Sequence, residues 1–506
     1  MRILRFAALA AVIAAAAPAA AAGASSVGHQ VKDLTVPGSA LGEPRPVKVH
    51  LWYPAAEHAA REASRTVYTS RLFDEPLASR WDPLAWTYEA ELSRETNEID
   101  PPGGDAKRWP VIVFSHGSTN DPIDYASTLE EIAAAGFVVA APYHVNNTQD
   151  DARADFHNNQ AALAGDPFRL ACADTLPGPC SRNDVPRSMR DRARDIGAVL
   201  DALAGWLPGA VDTGRVGVLG HSRGTVSALT AAGGSSTTPA VPWNIPADPR
   251  VKAVMGMAIG APAIVAGVNL PTVTVPTLLV AGGRDTNPPN AQTVSRAAFD
   301  AIASADKLFV TLPNATHRSY DGSYCAQLQA AGAVFDIDGN GVVENTAEFA
   351  ELTNPRPLLD RHTVALIGAS APGGLSGKAV HYCAERDLTS PVDIRRLLAA
   401  TPNAEYACDP AGNCATAPPT SGTSACAAGV TTVPCTGLDS DEVRAGMTRI
   451  AAAFFDSALR RDAGLRFTHW LSPAWLTANV PMIGSAEAHA GPDSVCPPGE
   501  GVICAD

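Results

Sequence analysis

Val216-Gly-Val-Leu-Gly-His-Ser-Arg-Gly-Thr225 is the stretch from which the rest of the chain is read. Val216, Val218 and Leu219 read as the end of a short buried strand. Val226, Ala228, Leu229, Ala231 and Ala232 read as an apolar helix of small residues. Between them, Gly220-His221-Ser222-Arg223-Gly224 is a G-x-S-x-G pentapeptide in the strand–turn–helix setting that pattern requires. A serine at the apex of such a turn stands clear of the sheet in a strained backbone. A β-carbon at Gly220 or Gly224 would strike the neighbouring strand or helix. The Arg223 amide falls at the helix N-terminus, where developing negative charge is stabilised. Ser222 is the expected nucleophile.

Upstream, residues 110–114 form an apolar run that stops at Ser115-His116-Gly117-Ser118. The spacing predicts a buried strand whose following turn offers the Ser118 N–H beside that of Arg223, two donors suited to an oxyanion. His116 reads as a structural turn residue. Residues 125–135 read as a helix, 137–141 as a buried strand and 189–203 as an amphipathic helix. Downstream, residues 251–257, 277–281 and 307–311 are further apolar strands. The second ends in Gly282-Gly283-Arg284-Asp285 and the third leads to His317. The alternation implies an α/β fold with a mostly parallel central sheet and helices on both faces. Ser222, Asp285 and His317 all follow strand ends, where open parallel sheets place their sites. His317 is the expected base and Asp285 its orienting carboxylate. His144 and His362 are the other candidates for the base.

With 46% hydrophobic and 18% charged residues the composition is globular, and a net charge of -14 argues against nucleic-acid or anionic-membrane partners. Arg2 and Arg5, the apolar residues 6–22 and small residues at 20–24 read as a signal peptide (1–22), so the expected location is secreted or periplasmic, with no stable membrane anchor after cleavage. The ten cysteines contain no C-x-x-C pair. Nearest-neighbour pairing would give Cys172/Cys180, Cys408/Cys414, Cys426/Cys435 and Cys496/Cys504, leaving Cys325/Cys383, in keeping with export.

Residues 31–36 and 47–52 alternate apolar and polar side chains and read as two antiparallel strands. The second ends in Leu51-Trp52-Tyr53-Pro54-Ala55. Residues 56–108, with Trp81, Trp86 and Tyr88, read either as a surface excursion with a small satellite core or as a wall beside the active site. Residues 144–187 are polar and aperiodic and are the expected cap.

Leu51-Trp-Tyr-Pro-Ala55, Val113-Phe-Ser-His-Gly117, Gly220-His-Ser-Arg-Gly224 and Gly283-Arg-Asp285 together resemble the secreted dienelactone-hydrolase-like and platelet-activating-factor-acetylhydrolase-like esterases. The resemblance covers most of residues 29–317 and the final helix. It implies an α/β-hydrolase fold, in which nucleophile, acid and base come in the order Ser222, Asp285, His317. Ser118 and Arg223 would then give the oxyanion N–H groups. The implied activity is serine carboxylic ester hydrolysis through an acyl-enzyme, on a small-molecule or lipid-like ester, with no organic cofactor. Dienelactone hydrolases use cysteine where this chain has Ser222, which points to ordinary esters. The pentapeptide also resembles that of chlorophyllases.

Residues 23–320 form the expected core, 321–440 a cysteine-rich insertion, and 441–506 a closing helix with a stapled tail. Within the insertion, Asp336, Asp338, Asn340 and Glu344 stand at the first, third, fifth and ninth positions of a calcium-like loop. Gly341 is sixth, and Val342 would offer its carbonyl from the seventh. The twelfth position is Ala347, and Glu348 comes one residue late. Calcium bound there would be structural. Two other readings stay open: a lipase or polyester hydrolase, and a non-catalytic calcium-dependent binding protein on a hydrolase scaffold.

Overall fold

The apolar runs become strands because each is buried on both faces. The computed structural model describes residues 26–38, 44–71, 85–103, 108–117, 120–145, 169–170, 180–181, 185–235, 245–260, 265–283, 285, 291–313, 315, 317–320, 440–460, 465–495 and 497–504. Among these, twelve strands form one sheet. Its parallel centre is, in spatial order, β6 (Val138–Pro142), β5 (Trp109–Ser115), β9 (Val211–His221), β10 (Val251–Met257), β11 (Thr277–Gly282) and β12 (Lys307–Leu312). β5 shows the period of two. Val111 and Val113 enter one hydrophobic cluster, and Ile112 and Phe114 the other.

One face is covered by the helices Val185–Trp206, Arg223–Gly233 and Ala291–Ala301, through Met189, Ile196, Val199, Leu203, Val226, Leu229 and Phe299. The other is covered by the helices Ala126–Ala134 and Ser440–Arg460, through Leu129, Ile132, Val443, Met447, Ile450, Phe454 and Leu459. The closing helix buries Val443, Met447, Ile450 and Phe454, which follow one another at spacings of four, three and four.

The first two strands, β1 (Val27–Val36) and β2 (Arg45–Pro54), pair antiparallel as expected. The described part of the excursion after them, expected as a satellite core or a wall beside the active site, instead joins the main core through Tyr68, Tyr88 and Ala90. It adds β3 (Arg65–Arg71) and β4 (Ala85–Arg94) to the far edge of the sheet. Glu130 fixes this edge to the helix Ala126–Ala134. Its buried carboxylate accepts from Tyr68 Oη at 2.6 Å, Ser93 Oγ at 2.9 Å and Leu92 N at 2.7 Å. Tyr68 also accepts from the Trp52 indole at 2.7 Å, and Tyr88 donates to the Ile123 carbonyl at 2.6 Å. The Trp81 side of the expected cluster lies outside the described residues.

The tail carries more structure than its sequence suggests, and one boundary needs correction. The tail after the closing helix is part of the sheet: β13 (Ser485–Ala490) pairs antiparallel with β12, and β14 (Val502–Cys504) continues beyond it. Residues 144–145, expected to open the cap, belong to the core. His144 is buried there because Ser115 and Asp195 satisfy its two ring nitrogens. The described part of the cap region holds a short ribbon, β7 (Arg169–Leu170) with β8 (Cys180–Ser181), and the helix that begins at Val185. Cys504 is disulfide-bonded. Cys496, its expected partner, the rest of 146–184, and the insertion up to residue 439 with its cysteines lie outside the described residues. Among the described residues no helix is long and apolar enough to cross a membrane.

Phe454→Ala should lower stability by about 3–5 kcal/mol, because its ring is fully buried against Phe455 under the sheet. Denaturant unfolding followed by circular dichroism measures this. A loss within 1 kcal/mol, to about the ordinary mutational scatter, would show the closing helix to be peripheral.

Candidate active site

The register of the sheet brings its strand ends level. Ser115 faces Gly220, His221 faces Met257, and Gly282 faces Leu312. The chain runs from β5 outward to β6 and then returns to β9 on the other side, so the crevice between β5 and β9 is a topological switch point. Ser222 follows β9 there, with φ 55° and ψ −120°. That left-handed backbone costs a non-glycine residue about 1–3 kcal/mol and persists only where its surroundings enforce it. Here they do. The Ser222 N–H donates to Met257 O at 2.8 Å, and Thr225 Oγ1 donates to the carbonyls of Gly220 and Met257. A β-carbon on Gly224 would lie 1.8 Å from the Ser115 carbonyl oxygen, and one on Gly220 2.2 Å from that of Gly224. Both glycines of the pentapeptide are therefore required by backbone contact.

The three residues singled out by sequence come together. His317 Nε2 lies 2.8 Å from Ser222 Oγ, and His317 Nδ1 lies 2.9 Å from Asp285 Oδ2 and 3.1 Å from Oδ1. Asp285 is buried and His317 partly exposed. The ionised carboxylate only accepts, so the Nδ1 proton points at Asp285. Nε2 is then left to accept from the serine hydroxyl. Such a set can deprotonate the hydroxyl as it attacks an electrophile.

Arg223 is the first residue of its helix, whose opening N–H groups have no intrahelical carbonyl to serve. Ser118, the other expected donor, lies outside the described residues. So do the six expected calcium ligands, Asp336, Asp338, Asn340, Val342, Glu344 and Glu348, and the rival base His362. The other rival, His144, is committed elsewhere, its Nδ1 2.8 Å from Asp195. Among the described residues no group of three or more His, Cys, Asp or Glu side chains could hold a metal ion.

Sequence reasoning missed what holds the histidine. The His221 ring, inside the pentapeptide, lies against His317 with centroids 4.8 Å apart. Its Nε2 donates to the His317 carbonyl at 2.9 Å, which leaves Nδ1 to accept from Tyr125 Oη at 2.7 Å. Tyr125 in turn accepts the Gly117 N–H at 3.3 Å. The backbone of the turn after β5 is thereby tied to the backbone of His317. Burial, and then the charge of Asp285, raises the Tyr320 phenol well above its usual range.

Fold and site together define a hydrolase-type α/β protein: the architecture is the α/β-hydrolase fold, and Ser222, His317 and Asp285 form its hydrogen-bonded set. A family model described as "Platelet-activating factor acetylhydrolase, isoform II" matches residues 19–175. A bis(hydroxyethyl) terephthalate hydrolase of Streptomyces coelicolor is 28% identical over 211 residues, which are 39% of this chain and 61% of that protein. A solved structure of a ferulic acid esterase from Streptomyces cinnamoneus covers 70% of this chain and 89% of its own, at 20% identity and a TM-score of 0.38. By the family-model and sequence likenesses the chain resembles esterases and related hydrolases, and it spans less than two thirds of the terephthalate hydrolase it matches.

Three buried histidines lower the stability of the fold as pH falls through mildly acid values. His50, His116 and His144 are held well below the ordinary histidine range. Burial is the main cause in each, reinforced by His29 at His50 and by Arg192 at His116 and His144. The folded chain keeps them neutral, while the unfolded chain protonates them below about pH 6.5. Their contribution is complete above that pH and is lost as pH falls, at about 1.4 kcal/mol per pH unit for each histidine. Asp195 opposes this. Burial raises it to about 6 despite its ion pair with Arg45, so the fold retains its proton at mildly acid pH. Three groups outweigh one, and the melting temperature should fall between about pH 7 and pH 5.5. A flat profile from calorimetry over that range would contradict the neutral assignment.

Proposed function

We propose that this chain is an exported serine carboxylic ester hydrolase. The observation that carries the reading is the hydrogen-bonded line from Ser222 Oγ through His317 to buried Asp285, standing at the switch point of the sheet. Ser222 Oγ attacks the ester carbonyl carbon while His317 Nε2 takes its proton. Asp285 holds the imidazole tautomer and stabilises the imidazolium. The carbonyl oxygen becomes an oxyanion facing the N–H groups of Arg223 and Ser118. Collapse expels the alcohol, which receives the proton from His317, and leaves an acyl-Ser222. Water then attacks the acyl carbon with His317 again as base, releasing the acid and restoring the serine.

The terephthalate hydrolase similarity favours small esters of aromatic acids as substrates, and it brings the polyester-hydrolase reading within the same test. The hydrogen-bonded set weighs against a non-catalytic scaffold. Export is supported by the signal-like residues 1–22 and by the disulfide at Cys504. Calcium binding by residues 336–348 rests on their oxygen pattern alone.

Two experiments test these readings. The mature protein should hydrolyse p-nitrophenyl esters best at the short end of a series from acetate to palmitate, and should cleave bis(hydroxyethyl) terephthalate. Ser222→Ala should reduce kcat by about 10⁴-fold or more. Undiminished turnover in that variant would end the proposal, and a maximum at long acyl chains would favour a lipase. If the acidic loop holds calcium, chelation should lower the melting temperature and added calcium restore it. Identical melting curves with and without chelator would remove calcium from the account.

A further inference from the structure

A second serine, histidine and aspartate stand in line beneath the rim of the sheet. Ser115 Oγ lies 2.9 Å from His144 Nε2, and His144 Nδ1 lies 2.8 Å from Asp195 Oδ2. The distances match those at Ser222, but all three side chains are buried, at 0%, 1% and 0% exposure. No ester can reach Ser115, so the set acts on the protein itself.

The directions of its protons follow from its partners. Asp195 accepts, so His144 carries hydrogen on Nδ1 and accepts the Ser115 hydroxyl at Nε2. The Ser115 oxygen then accepts from Arg192 Nη1 at 3.3 Å. The same guanidinium donates to the His116 carbonyl at 2.6 Å and to the Gly117 carbonyl at 3.0 Å. His116 receives the His144 N–H on Nε2 at 3.1 Å and points Nδ1 at the Gly117 carbonyl at 2.7 Å. Arg45 anchors the far end with an ion pair to Asp195 at 2.6 Å.

We propose that Arg192, braced by the Ser115–His144–Asp195 relay, is a positioning residue for the ester-hydrolysis reaction. This rests on the functional reading above. A planar peptide fixes its N–H opposite its carbonyl. Pinning the His116 carbonyl sends the Gly117 N–H to Tyr125, and so through His221 to the backbone of His317. Pinning the Gly117 carbonyl as well holds the turn after β5 at a second successive point. A lysine cannot reproduce this, because one ammonium does not span two successive carbonyls as a rigid fork does.

The test uses the mature full-length protein with Arg192→Lys, Ser115→Ala and Ser222→Ala variants. Kinetic constants on p-nitrophenyl acetate, inhibition by phenylboronic acid and melting curves are measured for each. Arg192→Lys should lower kcat by about 10- to 100-fold with KM changed by no more than about two-fold. The boronate inhibition constant should rise in proportion, since the tetrahedral adduct needs the same placement of His317 beside Ser222. Ser115→Ala should show the same pattern more weakly, and it decides the matter should Arg192→Lys fail to fold. A lower melting temperature with kcat per folded enzyme and boronate affinity unchanged would reduce the relay to a purely structural element and overturn the proposal. Loss of activity in Ser222→Ala beside unaffected Arg192→Lys and Ser115→Ala would overturn this proposal alone. Retained activity in Ser222→Ala would overturn the functional reading beneath it.

Discussion

The peptide oxygen of Ser115 occupies the place where a β-carbon on Gly224 would be. This close crossing of β5 and the helix after β9 sets the spacing of everything at the rim. It holds the turn tight enough for Ser222 to be kept at φ 55°, and it brings the backbone after β5 beside the serine. Thr225 and the Met257 carbonyl lock the turn from the β10 side. Three neighbouring strand ends are thus fastened by backbone contacts and the Thr225 hydroxyl before any catalytic group is considered.

Two Ser–His–Asp alignments with nearly the same distances lie on either side of that crossing, and access separates them. Ser222 and His317 sit at the rim, whereas Ser115, His144 and Asp195 are sealed beneath it with Arg192 and Arg45. The buried set is a means of neutralising polar groups that the fold places in its interior. An unpaired carboxylate or guanidinium there would be costly, and the network sets Asp195 against Arg45 and His144 and gives Arg192 two backbone carbonyls. Burial and the nearby Arg223 push the Arg192 guanidinium well below its usual range, with Asp195 opposing. Hydrogen-bond geometry of this kind therefore identifies a reactive serine only when exposure is considered with it.

The central strands were legible because burial on both faces turns them into unbroken apolar runs, and Ser222, Asp285 and His317 because each follows such a run. The edges were not. β13 is Ser485-Ala-Glu-Ala-His-Ala490, whose alanines carry little strand preference, and its place comes from pairing with β12. β3 and β4 hide a buried glutamate's three donors among ordinary polar residues. Around Arg192 the sequence reads Arg-Asp-Arg-Ala-Arg-Asp, which suggests a solvated helix face. One signal was available: Met189, Arg192, Ile196, Val199 and Leu203 recur at alternating spacings of three and four, so Arg192 holds a core position of that helix. Its partners, Ser115 and the carbonyls of His116 and Gly117, are long-range neighbours that no local pattern reveals.

The helix Ser440–Arg460 packs against the helix Ala126–Ala134, against β9 and β10, and against the turn His317–Tyr320 that carries the histidine. Phe454 and Phe455 cover a face of the sheet whose central parallel strands are complete by Leu312. In the order in which the chain is made, the helix Ala126–Ala134 can cover part of that face early, the rest waits for residues far beyond His317, and β13 arrives later still. A chain of this design cannot finish its fold progressively from the N-terminus. Closure over such a sequence distance is slow and leaves apolar surface exposed meanwhile. The apolar surface over β9 and β10 and the turn that carries His317 are thus closed only once residues 440–460 are in place.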